Sequence, residues 1–328
     1  MSRRRYVDCI RDALREEMAR DAEVFVLGED VTLGGPFGAT RGLADEFGEE
    51  RVVNTPISES TVTGIAVGAA TMGARPVVEI MFCDFITLAM DQLVNHAAKL
   101  RFMTGGALSV PMTVRVQFGV DGAYGAHHSQ SLEAWLAHVP GLKVVMPASP
   151  ADAKGLLKAA IRDDDPVVYL EHRALYFTSG EVPDGDVVVP LGSAAVVRPG
   201  ADVTILATSR MVSVASVAAE ALAADGIEAE VIDLRSLTPL DFETIQSSVA
   251  KTNRALVLHE AVRRGGFGGE LAAEIQARCF DYLDAPVLRL GGPFAPVSAS
   301  PALEREFVPS AERVVKTARS LVLKAGVA

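Results

Sequence analysis

Cysteines, aromatic residues and long apolar runs are scarce in this sequence, and each scarcity argues against a class of protein. The three cysteines, Cys9, Cys83 and Cys279, are far apart and form no Cys-x-x-Cys pair, which argues against a disulfide framework and a structural zinc site. No uninterrupted apolar run approaches the roughly 20 residues that span a bilayer. The arginines near the start precede an acidic segment, unlike the apolar stretch of a signal peptide. The sequence therefore predicts a cytoplasmic protein that does not bind membranes.

Basic residues are also in deficit. The 328 residues include 31 lysines and arginines against 42 aspartates and glutamates, which gives a net charge of −11. A chain this acidic repels a polyphosphate backbone, so we expect no nucleic-acid partner. The length predicts two domains of about 150 residues each. Since only 6% of the residues are aromatic, we expect a core built mostly from Ala, Val, Leu and Ile.

Several common catalytic and nucleotide-binding motifs are missing as well. The sequence has no Gly-x-x-x-x-Gly-Lys-Ser/Thr loop, no Gly-x-Gly-x-x-Gly after the first apolar run and no Gly-x-Ser-x-Gly elbow. These absences argue against P-loop, dinucleotide-binding and serine-hydrolase sites. His259-Glu260 lacks a second histidine four residues after the first, so the zincin pattern fails too.

Short apolar runs alternate with amphipathic segments, a pattern typical of α/β folds with parallel sheets. In the first part of the chain we predict strands at 24–27, 76–80, 111–116, 143–146 and 167–170. A helix is predicted over 58–73, with Ser58 or Ser60 as its N-cap. Another is predicted over 151–162, after the Ser149-Pro150 entry signal.

The segment 178–189 interrupts this pattern. It is rich in glycine, proline and aspartate and has no helical period, which indicates a linker. After it we predict strands at 203–207, 228–232, 255–259 and 287–290, and helices at 212–225, 241–250, 268–279 and 301–323. The expected division is an α/β domain over 1–180, a linker over 181–195 and a second α/β domain over 196–328.

Glu59 is the first candidate functional residue. It stands in Thr55-Pro56-Ile57-Ser58-Glu59, at the opening of an apolar helix rich in Ala and Gly. A glutamate in a first helical turn complements the helix macrodipole, so simple capping is one interpretation. The other interpretation is a buried carboxylate that exchanges a proton with a heterocyclic base.

A pair of histidines is the second candidate. His127-His128-Ser129-Gln130-Ser131 follows a glycine-rich stretch, and glycine lets the backbone approach a ligand closely. A loop histidine bonded to a neighbouring carbonyl is the alternative. A metal cluster is disfavoured because adjacent histidines point apart and no third ligand has a fitting spacing.

The third candidate is the segment Met81-Phe82-Cys83-Asp84-Phe85, which follows a predicted strand. Ligands dock at the carboxyl ends of parallel strands, so an aromatic side chain there is placed to pack against a ligand ring. The alternative is that these phenylalanines belong to the core.

Several motifs spread along the chain are specific when taken together. They are Leu27-Gly28-Glu29-Asp30-Val31, Thr55-Pro56-Ile57-Ser58-Glu59, Arg75-Pro76, Asp91-Gln92, His128-Ser129-Gln130, Pro140-Gly141-Leu142-Lys143-Val144-Val145, Ala160-Ile161-Arg162-Asp163, His259-Glu260-Ala261 and Gly265-Gly266-Phe267. On these motifs the whole chain resembles the β subunits of the thiamine diphosphate-dependent decarboxylating component of 2-oxo acid dehydrogenase complexes. That group includes the pyruvate, branched-chain and acetoin dehydrogenases.

The resemblance implies a pyrimidine-binding domain followed by a transketolase C-terminal-type domain, with thiamine diphosphate held between this chain and an α subunit. Glu59 matches the glutamate that contacts the aminopyrimidine ring and shuttles its proton. Phe85 matches the aromatic residue packed on that ring, and Ile57 and Met81 match positions that line its pocket. His128 matches the histidine that faces the thiazolium and the substrate, which implies proton relay and assistance in acyl transfer.

The resemblance also implies a structural potassium site. Met112, Ala160, Ile161, Asp163 and Asp165 fall where some relatives hold this ion, mainly through carbonyl oxygens. Oxygen ligands suit a hard cation. Asp165 stands at a position where relatives have asparagine.

One half of the cofactor site is missing from the sequence. Thiamine enzymes hold the diphosphate and its Mg²⁺ with a Gly-Asp-Gly stretch and a later asparagine pair. The three asparagines of this chain, Asn54, Asn95 and Asn253, are not adjacent. The resemblance therefore implies an obligate α subunit that carries the Mg²⁺ site, in an α2β2 heterotetramer.

Three functions are compatible with these residues. The main hypothesis is decarboxylation of a small, pyruvate-like 2-oxo acid, or cleavage of acetoin, with acyl transfer to the lipoyl group of an acyltransferase partner. Residues 34–42, with Met81 and Phe85, are closer to the pyruvate and acetoin relatives than to the branched-chain ones. The first alternative is a split-subunit carboligase that forms acyloins outside a multienzyme complex. The second is a non-catalytic scaffold, which has no use for both Glu59 and His128.

Overall fold

Contacts within the chain separate two α/β units. The structure is a computed structural model, and it describes residues 1–324. The first unit contains residues 1–119, 135–191 and 237–239, and the second contains residues 120–134, 192–236 and the described chain from 240 onward. The short segment 120–134 therefore packs in the second unit, although it falls within the first 180 residues.

Helices and strands alternate through residues 1–191. In chain order they are β1 (Ser2–Arg5), α1 (Tyr6–Arg20), β2 (Val24–Gly28), α2 (Leu43–Phe47), β3 (Val52–Asn54), α3 (Glu59–Thr71), β4 (Arg75–Ile80), α4 (Ile86–Asp91), a π-helical turn (Gln92–Ala97), α5 (Ala98–Met103), β5 (Thr113–Phe118), α6 (Glu133–Ala137), β6 (Lys143–Val145), α7 (Pro150–Arg162), β7 (Val167–His172) and β8 (Ser179–Val182). The strands and helices predicted for this part of the chain are present, with ends that differ by a few residues at most. The α/β class is confirmed.

Residues 192–324 repeat the alternation. They form β9 (Ala195–Arg198), β10 (Val203–Ala207), α8 (Arg210–Ala223), β11 (Ala229–Asp233), β12 (Ser236–Thr238), α9 (Phe242–Thr252), β13 (Ala255–Val262), α10 (Gly268–Arg278), β14 (Leu288–Gly292), α11 (Pro301–Phe307) and α12 (Ala311–Lys324). The single helix predicted over 301–323 is wrong, because Val308 has an extended conformation that ends α11. Pro309 disfavours helical dihedrals in the residue before it. Within residues 1–324, no helix has the length and apolar character needed to cross a membrane.

Parallel pairing dominates the two larger sheets. The first unit's sheet has the strand order β12, β6, β7, β5, β4, β2, β3, and the second unit's sheet has the order β14, β13, β10, β11, β9. The edge strand β9 runs antiparallel to β11, whereas β10 pairs in parallel with β11 and β13. Since ligands bind at the carboxyl ends of parallel strands, the segments after β2, β4 and β13 are the places to look for sites.

Part of the predicted linker is a strand. β8 pairs antiparallel with β1, with Ser179 opposite Arg5 and Val182 opposite Ser2. Its sequence, Ser-Gly-Glu-Val, gives no local strand signal because the pairing partner lies at the other end of the first unit's sequence. The prediction of an irregular segment over 178–189 is therefore wrong at Ser179–Val182.

Small and branched side chains fill the first core, as the low aromatic content predicts. Ile10 and Leu14 of α1 and Leu156 and Leu157 of α7 belong to one buried cluster with the sheet residues. α7 begins as predicted, because the Ser149 hydroxyl accepts the Asp152 amide and Pro150 occupies the first turn. A cap of this kind contributes about 1 kcal/mol to helix stability.

Candidate active site

Glu59 opens α3, on a loop that follows the parallel strand β3. The Thr55 amide donates to the Gly28 carbonyl at 3.0 Å, which ties this loop to the end of β2. Ser58 is the N-cap residue, but its hydroxyl donates to the Thr61 hydroxyl at 2.8 Å and not to a backbone group. Glu59 is half-buried and Ile57 is exposed. This chain alone therefore buries Glu59 only in part.

A narrow cleft surrounds Glu59 at the carboxyl ends of β2 and β4. It is lined by Gly28, Glu29, Thr55, Pro56, Ile57, Ser58, Glu59, Val62, Glu79, Ile80 and Met81. Its volume is about 20 Å³, which suffices for about one water molecule and falls far short of the roughly 300 Å³ or more of a small-molecule pocket. The cleft of this chain alone is therefore too small to enclose a ring.

Three of the four predicted pyrimidine-contacting residues, Ile57, Glu59 and Met81, meet in this cleft. Phe85 is not among the described residues that line it. Its amide donates to the Phe82 carbonyl at 2.9 Å, and its ring packs edge-on against that of Phe82 with centroids 5.9 Å apart. The half-buried Phe85 ring therefore belongs to an aromatic pair with Phe82.

Negative charge accumulates at the mouth of the cleft. Partial burial raises the pKa of Glu29, and the charges of Asp30 and Glu59 raise it further. Carboxylates this close together repel one another, so they favour a bound proton or a cationic group nearby. The cleft is therefore suited to a ligand that presents a protonatable nitrogen.

A buried ionic network lies behind the cleft. Arg115 on β5 donates to Glu79 Oε2 at 2.6 Å and to both carboxylate oxygens of Glu171 at 2.7 and 2.9 Å. The Tyr176 hydroxyl donates to Glu171 Oε2 at 2.6 Å. Burial raises the pKa of Glu79, while the charge of Arg115 opposes the rise. Because two carboxylates share one guanidinium, acidic groups outnumber basic groups in this network. Glu79 also lines the cleft.

The sequence carried a signal for this network that the motif search missed. Glu79, Arg115 and Glu171 are charged residues in largely apolar strands, and charged residues are almost never fully buried unless paired. The parallel register places Glu79 opposite Arg115. Gly35 has a φ of +63°, and a Cβ there would collide with a carboxylate oxygen of Glu79. Glycine is thus required where this loop covers the network.

His127 and His128 lie in the segment 120–134, which packs in the second unit. His128 is half-buried and its amide donates to the Gly125 carbonyl at 3.4 Å, while His127 is exposed. The segment borders a cavity of about 490 Å³ lined by Ala126, His127, Ser129, Gln130, Ser131, Leu132, Ala261, Val262, Phe294, Ala295, Pro296, Val297 and Phe307. The predicted histidine segment is therefore a surface loop beside a mostly apolar cavity.

The glycine cluster at 265–269 surrounds His259. A Cβ on Gly266 would lie 2.7 Å from His259 Cε1, and a Cβ on Gly268 would lie 2.5 Å from Cδ2. Burial, with the positive charge of Arg289, lowers the pKa of His259 to about 4. Gly266 and Gly268 thus let the chain pack against a neutral, buried histidine. This packing explains the glycine cluster and the His259-Glu260-Ala261 motif without catalytic chemistry.

The five residues of the predicted potassium site lie near the amino-terminal ends of β5 and β7. The Met112 carbonyl accepts the Val167 amide at 3.0 Å. Arg75 donates to the carbonyls of Ile161 and Asp163 at 3.1 and 3.0 Å. Lys143 Nζ lies 2.7 Å from the Asp163 carboxylate. Among the described residues no group of three or more His, Cys, Asp or Glu side chains is arranged to hold a metal ion.

The largest cavity described here, about 670 Å³, lies away from Glu59 in the first unit. It is bordered by Arg101, Phe102, Lys143, Asp165 and Pro239, among other residues. Arg101 and Lys143 both pair with Asp165, so its charged groups satisfy one another. We attach no chemistry to it.

Comparison with known protein families matches both units. A model of the transketolase pyrimidine-binding domain matches residues 3–178, and a model of the transketolase C-terminal domain matches residues 192–314. Together the two matches cover most of the chain.

Similar proteins match over almost the whole chain. The 2-oxoisovalerate dehydrogenase subunit beta of Bacillus subtilis is 47% identical over 325 residues, which cover 98% of this chain and 99% of that protein. The pyruvate dehydrogenase E1 component subunit beta-2 of Oryza sativa is also 47% identical, with coverages of 97% and 86%. The acetoin:2,6-dichlorophenolindophenol oxidoreductase subunit beta of Bacillus subtilis is 43% identical, with 96% of each chain covered.

A solved structure shares the whole fold. A split-gene transketolase, described as an inactive beta4 tetramer, superposes with a TM-score of 0.80 at 25% identity, and 97% of this chain and 98% of that chain are covered.

Proposed function

The chain belongs to the family of 2-oxo acid and acetoin dehydrogenase β subunits, and we propose that with an α subunit it forms a thiamine diphosphate-dependent enzyme. That enzyme decarboxylates a small 2-oxo acid or cleaves acetoin and passes the acyl group to a lipoyl group. The similar proteins are dehydrogenase subunits, which supports this function over a carboligase outside a complex or a scaffold. The observation that carries the proposal is the open cleft around Glu59 in a chain that matches these subunits end to end.

The residues of the cleft fit the pyrimidine ring of thiamine. Ile57 and Met81 offer apolar contacts, and Glu59 offers a carboxylate. Phe85, four residues after Met81, is assigned the aromatic contact with the ring. The small volume of the cleft supports a site completed by another chain. We assign the diphosphate and its Mg²⁺ to the α subunit, because the Asn residues of this chain are too far apart to form the expected pair.

Glu59 is assigned the proton exchange with the pyrimidine nitrogen. When bound, the cofactor would supply a carbon nucleophile for the substrate's keto carbon and a cationic thiazolium ring that accepts the electrons released as carbon dioxide leaves. Glu59 is suited to hold a proton at the ring because it projects from the first turn of α3 into a cleft that already concentrates negative charge. Covering the half-buried Glu59 with the α subunit would exclude water from that exchange.

His128 is assigned the proton relay to the substrate and the assistance in acyl transfer to the lipoyl thiol. Its position on a glycine-rich loop supports this assignment, since such loops commonly carry catalytic groups on a rigid scaffold. An imidazole both donates and accepts protons near neutral pH, which acyl transfer requires.

The potassium prediction is retained in a restricted form. The carbonyls at Met112, Ala160 and Ile161 each have two lone pairs, so they fit a weakly held cation while keeping their hydrogen bonds. The Asp163 and Asp165 carboxylates already bind Lys143 and Arg101. We expect a higher melting temperature in KCl than in NaCl of the same ionic strength; identical melting in both salts would remove this site from the proposal.

The test of the function is reconstitution with the α subunit. Pyruvate, 2-oxoisovalerate and acetoin are each supplied with thiamine diphosphate, Mg²⁺ and dichlorophenolindophenol as the electron acceptor. We expect dye reduction with at least one of the three, and a pyruvate or acetoin preference if residues 34–42 mark the substrate. The matched control is Glu59→Gln, which keeps the size and polarity of the side chain. An assembled Glu59→Gln enzyme with normal turnover would refute the role of Glu59, and inactivity with every substrate would refute the function.

A further inference from the structure

The histidine segment 120–134 is anchored at its first residue. The Val120 amide donates to Glu260 Oε1 at 2.6 Å, and the Val120 carbonyl accepts from Arg210 Nη1 at 2.6 Å. The same Arg210 nitrogen lies 3.6 Å from Glu260 Oε2. The Val120 side chain is buried with Val297 and Phe307. Both backbone polar groups of Val120 are therefore held by side chains of the second unit.

A second carboxylate fixes the backbone closer to the histidines. The Ala123 amide donates to Glu304 Oε2 at 2.6 Å. Ala123 has a φ of +59° and follows Gly122, whose φ is +76°. The left-handed conformation costs a residue with a Cβ roughly 1–2 kcal/mol, so it persists where other contacts enforce it. The backbone is thus held by side chains of the second unit at Val120 and at Ala123, five residues before His128.

Glu260 also acts on the far end of the segment. Glu133, the first residue of α6, is buried, and its Oε2 has no hydrogen-bond partner within residues 1–324. The charge of Glu260 is close enough to raise the pKa of Glu133, although burial is the larger cause. Glu260 therefore affects both the start and the end of the segment that carries His128.

We propose that Glu260, paired with Arg210, is a positioning residue that holds the 120–134 segment so that His128 acts on the substrate. The inference rests on the role of His128 in the proposed function. Glu260 itself exchanges no proton with the substrate. Its carboxylate accepts a hydrogen bond from the Val120 amide, and Arg210 donates a hydrogen bond to the Val120 carbonyl.

Loss of the acceptor has a defined consequence. Glu260→Ala leaves the buried Val120 amide unsatisfied, and the start of the segment is released. Since a displacement of about 1 Å in an active site can cost about 100-fold in rate, we expect kcat to fall between about 10- and 100-fold. We expect the affinity for thiamine diphosphate to stay unchanged, because the Glu59 cleft belongs to the first unit.

The experiment uses the assembled enzyme with its α subunit and variants of this chain at Glu260, Arg210, Glu230 and His128. Glu260→Ala removes the acceptor of the Val120 amide, and Glu260→Gln retains an acceptor oxygen. Arg210→Lys weakens the hydrogen bond to the Val120 carbonyl. The matched control is Glu230→Gln, because Glu230 is buried in the same unit but bonds Ser248 and Lys251. Hydrogen exchange of residues 120–134 is measured together with kcat, KM and cofactor affinity.

We expect Glu260→Ala to speed exchange in 120–134 and to lower kcat, with Glu260→Gln restoring most of both and Glu230→Gln changing neither. In a His128→Ala background, Glu260→Ala should cost little more, because it acts through His128. Unchanged exchange in 120–134, or an equal loss of kcat in both backgrounds, would overturn the inference. If Glu260→Ala does not assemble, the Glu260→Gln and Arg210→Lys variants decide the matter by the same measurements. A His128→Ala enzyme with normal kcat would instead refute the proposed role of His128, so the two failures are distinguishable.

Discussion

Replacing Glu133 with glutamine should change how the stability of the second unit depends on pH. Burial, with the charge of Glu260, raises the pKa of Glu133 from 4.5 to about 7. The unfolded chain releases this proton near pH 4.5, whereas the folded chain keeps it until about pH 7. The stability associated with the protonated form is therefore complete below pH 4.5 and is lost as the pH rises through 7.

The size of the effect follows from the same values. A tenfold difference in proton affinity is worth about 1.4 kcal/mol. The difference between 4.5 and about 7 therefore corresponds to about 3 kcal/mol of unfolding free energy lost between acidic and neutral pH. Glutamine has nearly the same shape and does not titrate. Relative to the unchanged chain, Glu133→Gln should therefore gain about 3 kcal/mol on going from pH 4.5 to pH 8.

Urea unfolding between pH 4.5 and 8 measures this difference in unfolding free energy. Hydrogen exchange of the amides in β13 reports it for the second unit. Glu230→Gln is the control with the opposite sign. Burial opposes ionisation of Glu230, but hydrogen bonds from Lys251 and Ser248 lower its pKa. The stability that ionised Glu230 contributes is present above its unfolded pKa and is lost at acidic pH. Relative to the unchanged chain, Glu230→Gln should therefore lose stability as the pH rises. A Glu133→Gln chain that tracks the unchanged chain at every pH would refute the assignment of Glu133 as a protonated buried acid.

Three further predictions concern other residues. His128→Ala should keep thiamine diphosphate affinity in the assembled enzyme and slow decarboxylation or acyl transfer in single-turnover kinetics; unchanged rates of both steps would contradict the role proposed for His128. Arg115→Met should destabilise the first unit by about 3–5 kcal/mol, because it leaves two buried carboxylates without their cation; a loss below about 1 kcal/mol in urea unfolding would contradict that network. The unchanged chain should lose stability as the pH falls from 6.5 to about 4, because His259 is neutral when folded. His259→Gln should remove this loss; equal acid sensitivity of both proteins in thermal unfolding would contradict the prediction.

The elements that could be predicted from sequence have local signals. α7 has a serine cap followed by a proline, and β10 is an apolar run bounded by turn residues, so each follows from its own residues. Glu59 was found because its motif is continuous and lies at a helix start. The match of that motif to a known family then gave it a chemical role.

The features that were missed depend on residues far apart in sequence. β8 forms because β1 is available to pair with it. The Arg115 network needs the register of β4, β5 and β7, which no single segment specifies. The anchoring of 120–134 needs Arg210 and Glu260, which lie many residues further along the chain. Single-segment patterns carry no information on such contacts.

We propose that this chain supplies one half of a thiamine diphosphate site. Native mass spectrometry of the purified chain, alone and with its α subunit, tests it when thiamine diphosphate and Mg²⁺ are present. We expect the cofactor to be retained by an α2β2 assembly and not by this chain alone. A homo-oligomer of this chain that binds the cofactor without any partner would contradict the account.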